Sequence, residues 1–122
     1  MLKISLATFE KMMQYDVVKN KACIEIEFSV DEDPIYFACC LGKMFDGETN
    51  RGLYWYGLVA DGSQAYDYDT LEAFLNAKIL NGNSIKQLWS KISLFSIDAC
   101  SVEERLPFYL GITDGSRMRP AL

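Results

Sequence analysis

Hydrophobic positions along the chain change period four times. In SLATFEKMMQY, Leu6, Phe9, Met12 and Met13 recur at offsets of 3, 6 and 7, one stripe of a helix, with Ser5 placed to cap it. A short strand over LKISLA is the competing reading, and the helical stripe is the stronger pattern. From residue 22 the period falls to two. In CIEIEFSV, Ile24, Ile26, Phe28 and Val30 point one way, and Cys23, Glu25, Glu27 and Ser29 the other, as in a half-buried strand. The turn DEDP follows, then PIYFACCLG as a more fully buried strand, so the two read as an antiparallel hairpin. FDGETNRG is the next loop. GLYWYGLVA is a third strand closed by Asp61-Gly62, and QAYDYD a fourth that pairs back on the third.

The helical period returns at Asp69 or Thr70. Asp69 with Glu72 three residues later fits a capping box, and Leu71, Phe74, Leu75 and Ile79 form the buried stripe. Asn81-Gly82 is expected to stop this helix. A second helix is predicted from Ser84, with Gln87 completing its box and Ile85, Leu88, Trp89 and Ile92 on one face. LFSID reads as a short strand, and SVEERLPFYLG as a helical turn broken near Pro107. The predicted fold is α+β: an antiparallel meander of about four strands with one face covered by helices. Residues 1–111 form one domain in this reading, and 112–122 a mobile, slightly basic tail.

The segment LEAFLNAKILNGNSIKQLWSKI, preceded by an aromatic-rich strand, resembles a group of small bacterial proteins from Gram-positive gut bacteria and their mobile elements. These share a hairpin, an F-L-N-A-x-I helix, a Gly turn and an S-[IL]-x-x-[IL]-W helix. The resemblance covers about 40 residues and implies structure: caps, a glycine stop and core aromatics. It brings no activity, cofactor or catalytic residue. A mobile-element setting suits a small inhibitor or accessory protein.

Composition supports a folded domain. Half of the 122 residues are hydrophobic and 13% aromatic, enough to bury a core, and no run approaches the roughly 18 apolar residues of a membrane-spanning helix. Glu10 and Lys11 interrupt the N-terminus, which does not read as a secretory signal, so the cytoplasm is the expected compartment and no membrane partner is expected. The cysteines Cys23, Cys39, Cys40 and Cys100 form no C-x-x-C pair and read as reduced, buried thiols.

Charge changes the picture more. Residues 22–72 carry eleven Asp or Glu against Lys43 and Arg51, a net −9, while each flank is +2 and the whole chain −5. Such a segment favours basic partners and disfavours direct contact with a nucleic-acid backbone. No histidine is present, so the commonest general base and any Ser-His-Asp or Cys-His arrangement are missing. Asp46, Glu48 and Asn50 begin like a calcium loop, but glycine falls one place late and Gly57 stands where a bidentate Glu is needed. No phosphate-binding glycine loop occurs. No cofactor or metal is expected, and the carboxylate pairs Glu25/Glu27 and Asp67/Asp69 read as solvated strand faces rather than a catalytic pair.

The aromatic run Tyr54-Trp55-Tyr56 is the richest remaining feature. With Leu53 and Val59, Trp55 is assigned to the core, which leaves Tyr54 and Tyr56 on the uncovered face beside Glu25, Glu27 and Asp67. The leading expectation is a non-enzymatic interaction protein that offers this acidic, tyrosine-bearing face to a basic protein surface. Two others stay open: a small ligand-binding domain or enzyme with a pocket between sheet and helices, and a homo-oligomer that buries the tyrosine face.

Overall fold

A computed structural model describes residues 2–59 and 64–111. The Asp61-Gly62 turn and the expected tail over 112–122 lie outside the described residues.

Among the described residues, four helices and a five-stranded antiparallel sheet build the domain. Helix α1 (Leu6–Met13) starts where Ser5 Oγ accepts from the Thr8 amide, and it buries Phe9, Met12 and Met13. Leu2, just before it, exchanges two backbone hydrogen bonds with Leu94, so the LKI segment touches the sheet edge without becoming a strand. A one-turn helix, α2 (Val17–Asn20), is capped by Asp16 and ended by Lys21 in the left-handed region. Strands β1 (Cys23–Val30), β2 (Cys39–Asp46), β3 (Arg51–Gly57) and β4 (Ala65–Tyr68) follow, then α3 (Leu71–Asn76), β5 (Ile92–Ile97) and α4 (Val102–Tyr109). The sheet order is β4-β3-β2-β1-β5. The consecutive meander is therefore as predicted for four strands, and β5 adds a fifth on the far side of β1.

Strand β1 matches its pattern: Ile24, Ile26 and Phe28 are fully buried. The second strand is displaced from the expected 34–42. Asp33 Oδ1 accepts from the Ile35 amide and Ala38 sits at φ 59°, which bends the chain before Cys39. Residues 34–38 are a loop that buries Tyr36 and leaves Ile35 and Phe37 60% and 68% exposed. Strand β2 instead runs to Asp46, and Asp46 closes the next turn by accepting from the Glu48 amide and the Thr49 hydroxyl. This is a self-capped turn of the Asx kind.

Helix formation between β4 and β5 falls short of the periodic pattern. Thr70, not Asp69, caps α3, its hydroxyl accepting from the Ala73 amide. The helix ends at Asn76 because Ala77 is extended. Asn81 and Gly82, both at positive φ, form a separate turn closed by Leu80 and Asn83. The Ser84–Gln87 box forms reciprocally, yet only a turn and the 3₁₀ segment Trp89–Lys91 follow. Ile92 is already committed to β5, whose partners on β1 run from Val30 to Ile26. Pairing along a whole strand outweighs two more helical residues. The cap correction is testable. Thr70→Ala should lower unfolding free energy by about 0.5–2 kcal/mol, and Asp69→Ala should stay within about 0.5 kcal/mol, both read by urea denaturation.

Strand β5 and α4 meet at Asp98. Its amide donates to Glu25 O (2.7 Å), and its Oδ1 accepts from the Glu25 amide (2.9 Å), prolonging the β1 ladder by one rung. Its Oδ2 accepts from Arg105 Nε (2.8 Å) and from the Tyr109 hydroxyl. Helix α4 passes through Pro107 unbroken, held by Ser101 as its cap and by the burial of Val102, Leu106 and Tyr109. The expected break at Pro107 does not occur.

Candidate functional site

Cross-strand register decides which face each side chain takes. Ile24 pairs with Lys43, Lys43 with Tyr54, and Tyr54 with Tyr68; Ile26 pairs with Leu41, and Leu41 with Tyr56. Directly paired residues share a face, so these all point toward α1 and α3. Tyr56 is 1% exposed, stacks on Phe74 with ring centroids 4.2 Å apart, and donates its hydroxyl to Phe74 O at 2.8 Å. Tyr54 packs against Phe74 and lies over Met13 O. Burial pushes both phenols above their ordinary pKa. The expectation that Tyr54 and Tyr56 lie on the uncovered face is thus reversed. Trp55, expected in the core, is the residue that faces outward.

The opposite face carries a row of four residues: Glu25 pairs with Gly42, Gly42 with Trp55, and Trp55 with Asp67. The neighbouring row is Glu27, Cys40, Gly57 and Ala65. Glu25, Met44 and Asp67 are exposed, while Glu27, Cys40 and Trp55 are half-buried. Trp55 lies over Gly42: a Cβ there would come 2.8 Å from Cζ2 and 2.9 Å from Cε2 of the indole. Because Gly42 has no side chain, the ring can spread across β2 toward Glu25, with Asp67 on its other flank. Expectation and structure agree on the placement of Glu25, Glu27 and Asp67, which share this face. Sequence reasoning missed Trp55. The usable signal was Gly42 between Leu41 and Lys43, a gap on one face of β2 that a large neighbour fills.

Three carboxylates of the acidic segment are engaged in the fold, while Glu32, Glu48, Asp69 and Glu72 are as free of side-chain partners among the described residues as Glu25, Glu27 and Asp67. Asp31 pairs with Lys3 and accepts from Ser93 Oγ (2.7 Å), contacts that hold its carboxyl below the usual range. Asp33 and Asp46 close turns. The side chains of Glu25, Glu27 and Asp67 accept no hydrogen bond and form no ion pair among the described residues. Their field reaches Cys40, whose thiol is pushed up first by burial and then by Glu25 and Glu27. That keeps Cys40 protonated and a poor nucleophile. Cys39 is buried, donates to Leu58 O, and is pushed up to about 11, chiefly by burial. Cys23 and Cys100 are exposed, which corrects the expectation of four buried thiols; all four are free.

A second feature opens at the side of the sheet. A cleft of about 350 Å³ is lined by Asp16, Lys43, Asn50, Arg51, Tyr54 and Asp69 among others. Lys43 is 8% exposed and donates to Met13 O and Tyr15 O, both at 2.9 Å, at the carboxyl end of α1. A cation is favoured there by the helix dipole. Burial lowers the amine's pKa, and Asp16 partly restores it. Both donor contacts go to backbone, so the role visible for Lys43 is to close α1.

Among the described residues no group of three or more His, Cys, Asp or Glu could hold a metal ion. No helix among them is long and apolar enough to cross a membrane. Compared with protein-family models, curated proteins and solved structures, the chain matches none.

Proposed function

We propose that the chain is a non-enzymatic interaction module whose open sheet face binds a basic protein surface. The observation that carries this reading is the set Glu25, Glu27 and Asp67, three carboxylates without partners among the described residues, arranged around a half-buried tryptophan. Among the described residues Glu32, Glu48, Asp69 and Glu72 also lack side-chain partners, so what sets Glu25, Glu27 and Asp67 apart is that they share one sheet face with Trp55. Aromatic anchors with a charged surround suit a protein interface, and complementary charge supplies on-rate and partner choice. The homo-oligomer that buries a tyrosine face loses its basis, because those tyrosines face the helices. A two-fold dimer through the Trp55 face would bring like carboxylates together, a cost that disfavours self-association.

The test is charge reversal with a control elsewhere on the surface. Glu25→Lys/Glu27→Lys/Asp67→Lys should abolish capture of basic partners from a bacterial lysate, and Glu48→Lys/Glu72→Lys, elsewhere on the surface, should preserve it. Capture by the parent protein should weaken steeply as salt rises. If the triple variant retains every partner with unchanged salt dependence, the face is not the binding surface.

The cleft beside Lys43 supports a second reading, a small-ligand site. A thermal-shift panel of metabolites separates the two: stabilisation by a small molecule that Lys43→Met removes would favour the cleft.

A further inference from the structure

Resting on the basic-partner reading, we infer that the group recognised at the centre of the open face is an arginine side chain, its guanidinium laid on the indole of Trp55 between Glu25 and Asp67. The geometry starts from Gly42. Cζ2 and Cε2 of the indole lie over this glycine and Cζ3 lies 3.7 Å from where a Cβ of Gly57 would stand, so the ring spreads over two positions without side chains and stays partly exposed. The same row places an acidic residue on each side of Trp55, Glu25 two strands away on β1 and Asp67 directly paired on β4. A flat aromatic surface with carboxylates on either side fits a planar cation that can stack and hydrogen-bond at once. Guanidinium does both: it is planar, weakly hydrated, and presents its N–H donors in the plane, outward toward the rim. An ammonium is compact and strongly hydrated, and matches only the charge.

Other aromatic rings of the chain already hold such cations. Lys21 lies over Phe45, Lys43 over Tyr54, and Arg105 over Phe108 and Tyr109. At the last of these, the guanidinium carbon is 4.3 Å from the Phe108 ring centre while Nε donates to the Asp98 carboxylate. Arg105 thus shows, inside this protein, the arrangement inferred for the open face. No cation of the described residues covers Trp55, and its indole N–H has no acceptor among them. The row therefore has the ring and the carboxylates of an arginine site, without the arginine.

The two tryptophans make the test direct. Each gives one indole N–H resonance in the ¹⁵N-labelled full chain, and that of Trp89 is bonded to Ile4 O at 2.8 Å, which makes it an internal reference. Titration with blocked tetra-arginine and blocked tetra-lysine peptides at matched ionic strength should shift the Trp55 resonance and leave Trp89 in place. The arginine peptide should bind about five-fold tighter or better, as stacking adds to charge. In Trp55→Leu the preference should fall to about one, with weak, salt-sensitive binding of both peptides left. Glu25→Gln/Asp67→Asn keeps the indole and should weaken the arginine peptide about five-fold or more; the Trp89 resonance reports that each variant is folded. Equal affinities for the two peptides, unchanged by Trp55→Leu, would overturn the arginine site and leave the basic-partner reading standing. Absence of binding by either peptide overturns the arginine site as well. The broader reading falls only if the triple charge reversal leaves capture intact.

Discussion

Gly42→Ala should be the most damaging single-methyl substitution in the protein, lowering unfolding free energy by about 3–5 kcal/mol, beyond the ordinary range for overpacking. An ideal Cβ at this position lies 2.0 Å from Ile24 O on the adjacent strand, as well as 2.8 Å from the Trp55 ring. The ring can swing away, but the strand backbone cannot move without opening the β1–β2 ladder at its middle, where Glu25 pairs with Gly42. For a domain of this size such a loss corresponds to a fall in Tm of roughly 10–20 °C. Gly47, where an added Cβ would meet nothing within 4 Å, should accept alanine almost without effect and serves as the control. The double variant Gly42→Ala/Trp55→Ala separates the two contacts. Stability should not return, because the backbone contact is the closer and stiffer one. A Tm change of less than about 3 °C for Gly42→Ala would mean that β1 and β2 are not in this register.

The same glycine marks where the sequence was legible and where it was not. Strand β1 can be read residue by residue, because alternation there sets isoleucine and phenylalanine against glutamate and nothing competes. Strand β3 is different. Both of its faces are apolar or aromatic, Leu53 and Trp55 on one parity and Tyr54, Tyr56 and Leu58 on the other. Hydropathy favours Trp and Leu over Tyr for the core, and that ranking selects the wrong parity. What decides is the neighbour strand: Leu41 faces inward and register carries Tyr56 with it, while Lys43, on the same parity, carries Tyr54. Lys43, an inward lysine that serves the end of α1, hid this signal. The helical region failed for another reason. The caps at Thr70 and Ser84 are local features and both formed, the first one residue after the expected Asp69, but how far a helix runs depends on what its last residues are needed for elsewhere. Ile92, counted as the end of a helical stripe, is the first residue of a strand. The candidate face was half legible: its carboxylates follow from the alternation of β1 and β4, whereas its aromatic anchor follows only from register.

Tyr56→Ala gives the sharpest stability test of that reversed parity. The ring is stacked on Phe74 and nearly inaccessible, so truncation should cost about 3–5 kcal/mol, the range for large aromatic side chains in a core. Tyr56→Phe keeps the ring but leaves Phe74 O without its hydroxyl donor. That carbonyl belongs to the last turn of a six-residue helix, where backbone acceptors have no helical partner, so the loss should be about 1–2 kcal/mol. The phenol also predicts behaviour at high pH. Burial raises the pKa of Tyr56 in the folded state well above the value of about 10 in the unfolded chain. A group raised in this way gives its full stabilisation below the unfolded pKa and loses it as pH climbs toward the folded one, since the unfolded chain releases the proton first. Stability should therefore fall from about pH 10 upward, and the fall should be shallower in Tyr56→Phe, which has one fewer proton to lose on unfolding. Urea denaturation at pH 7 and at alkaline pH measures both limbs. A loss below about 1 kcal/mol for Tyr56→Ala, as at a surface site, would return Tyr56 to the open face and remove Trp55 from it.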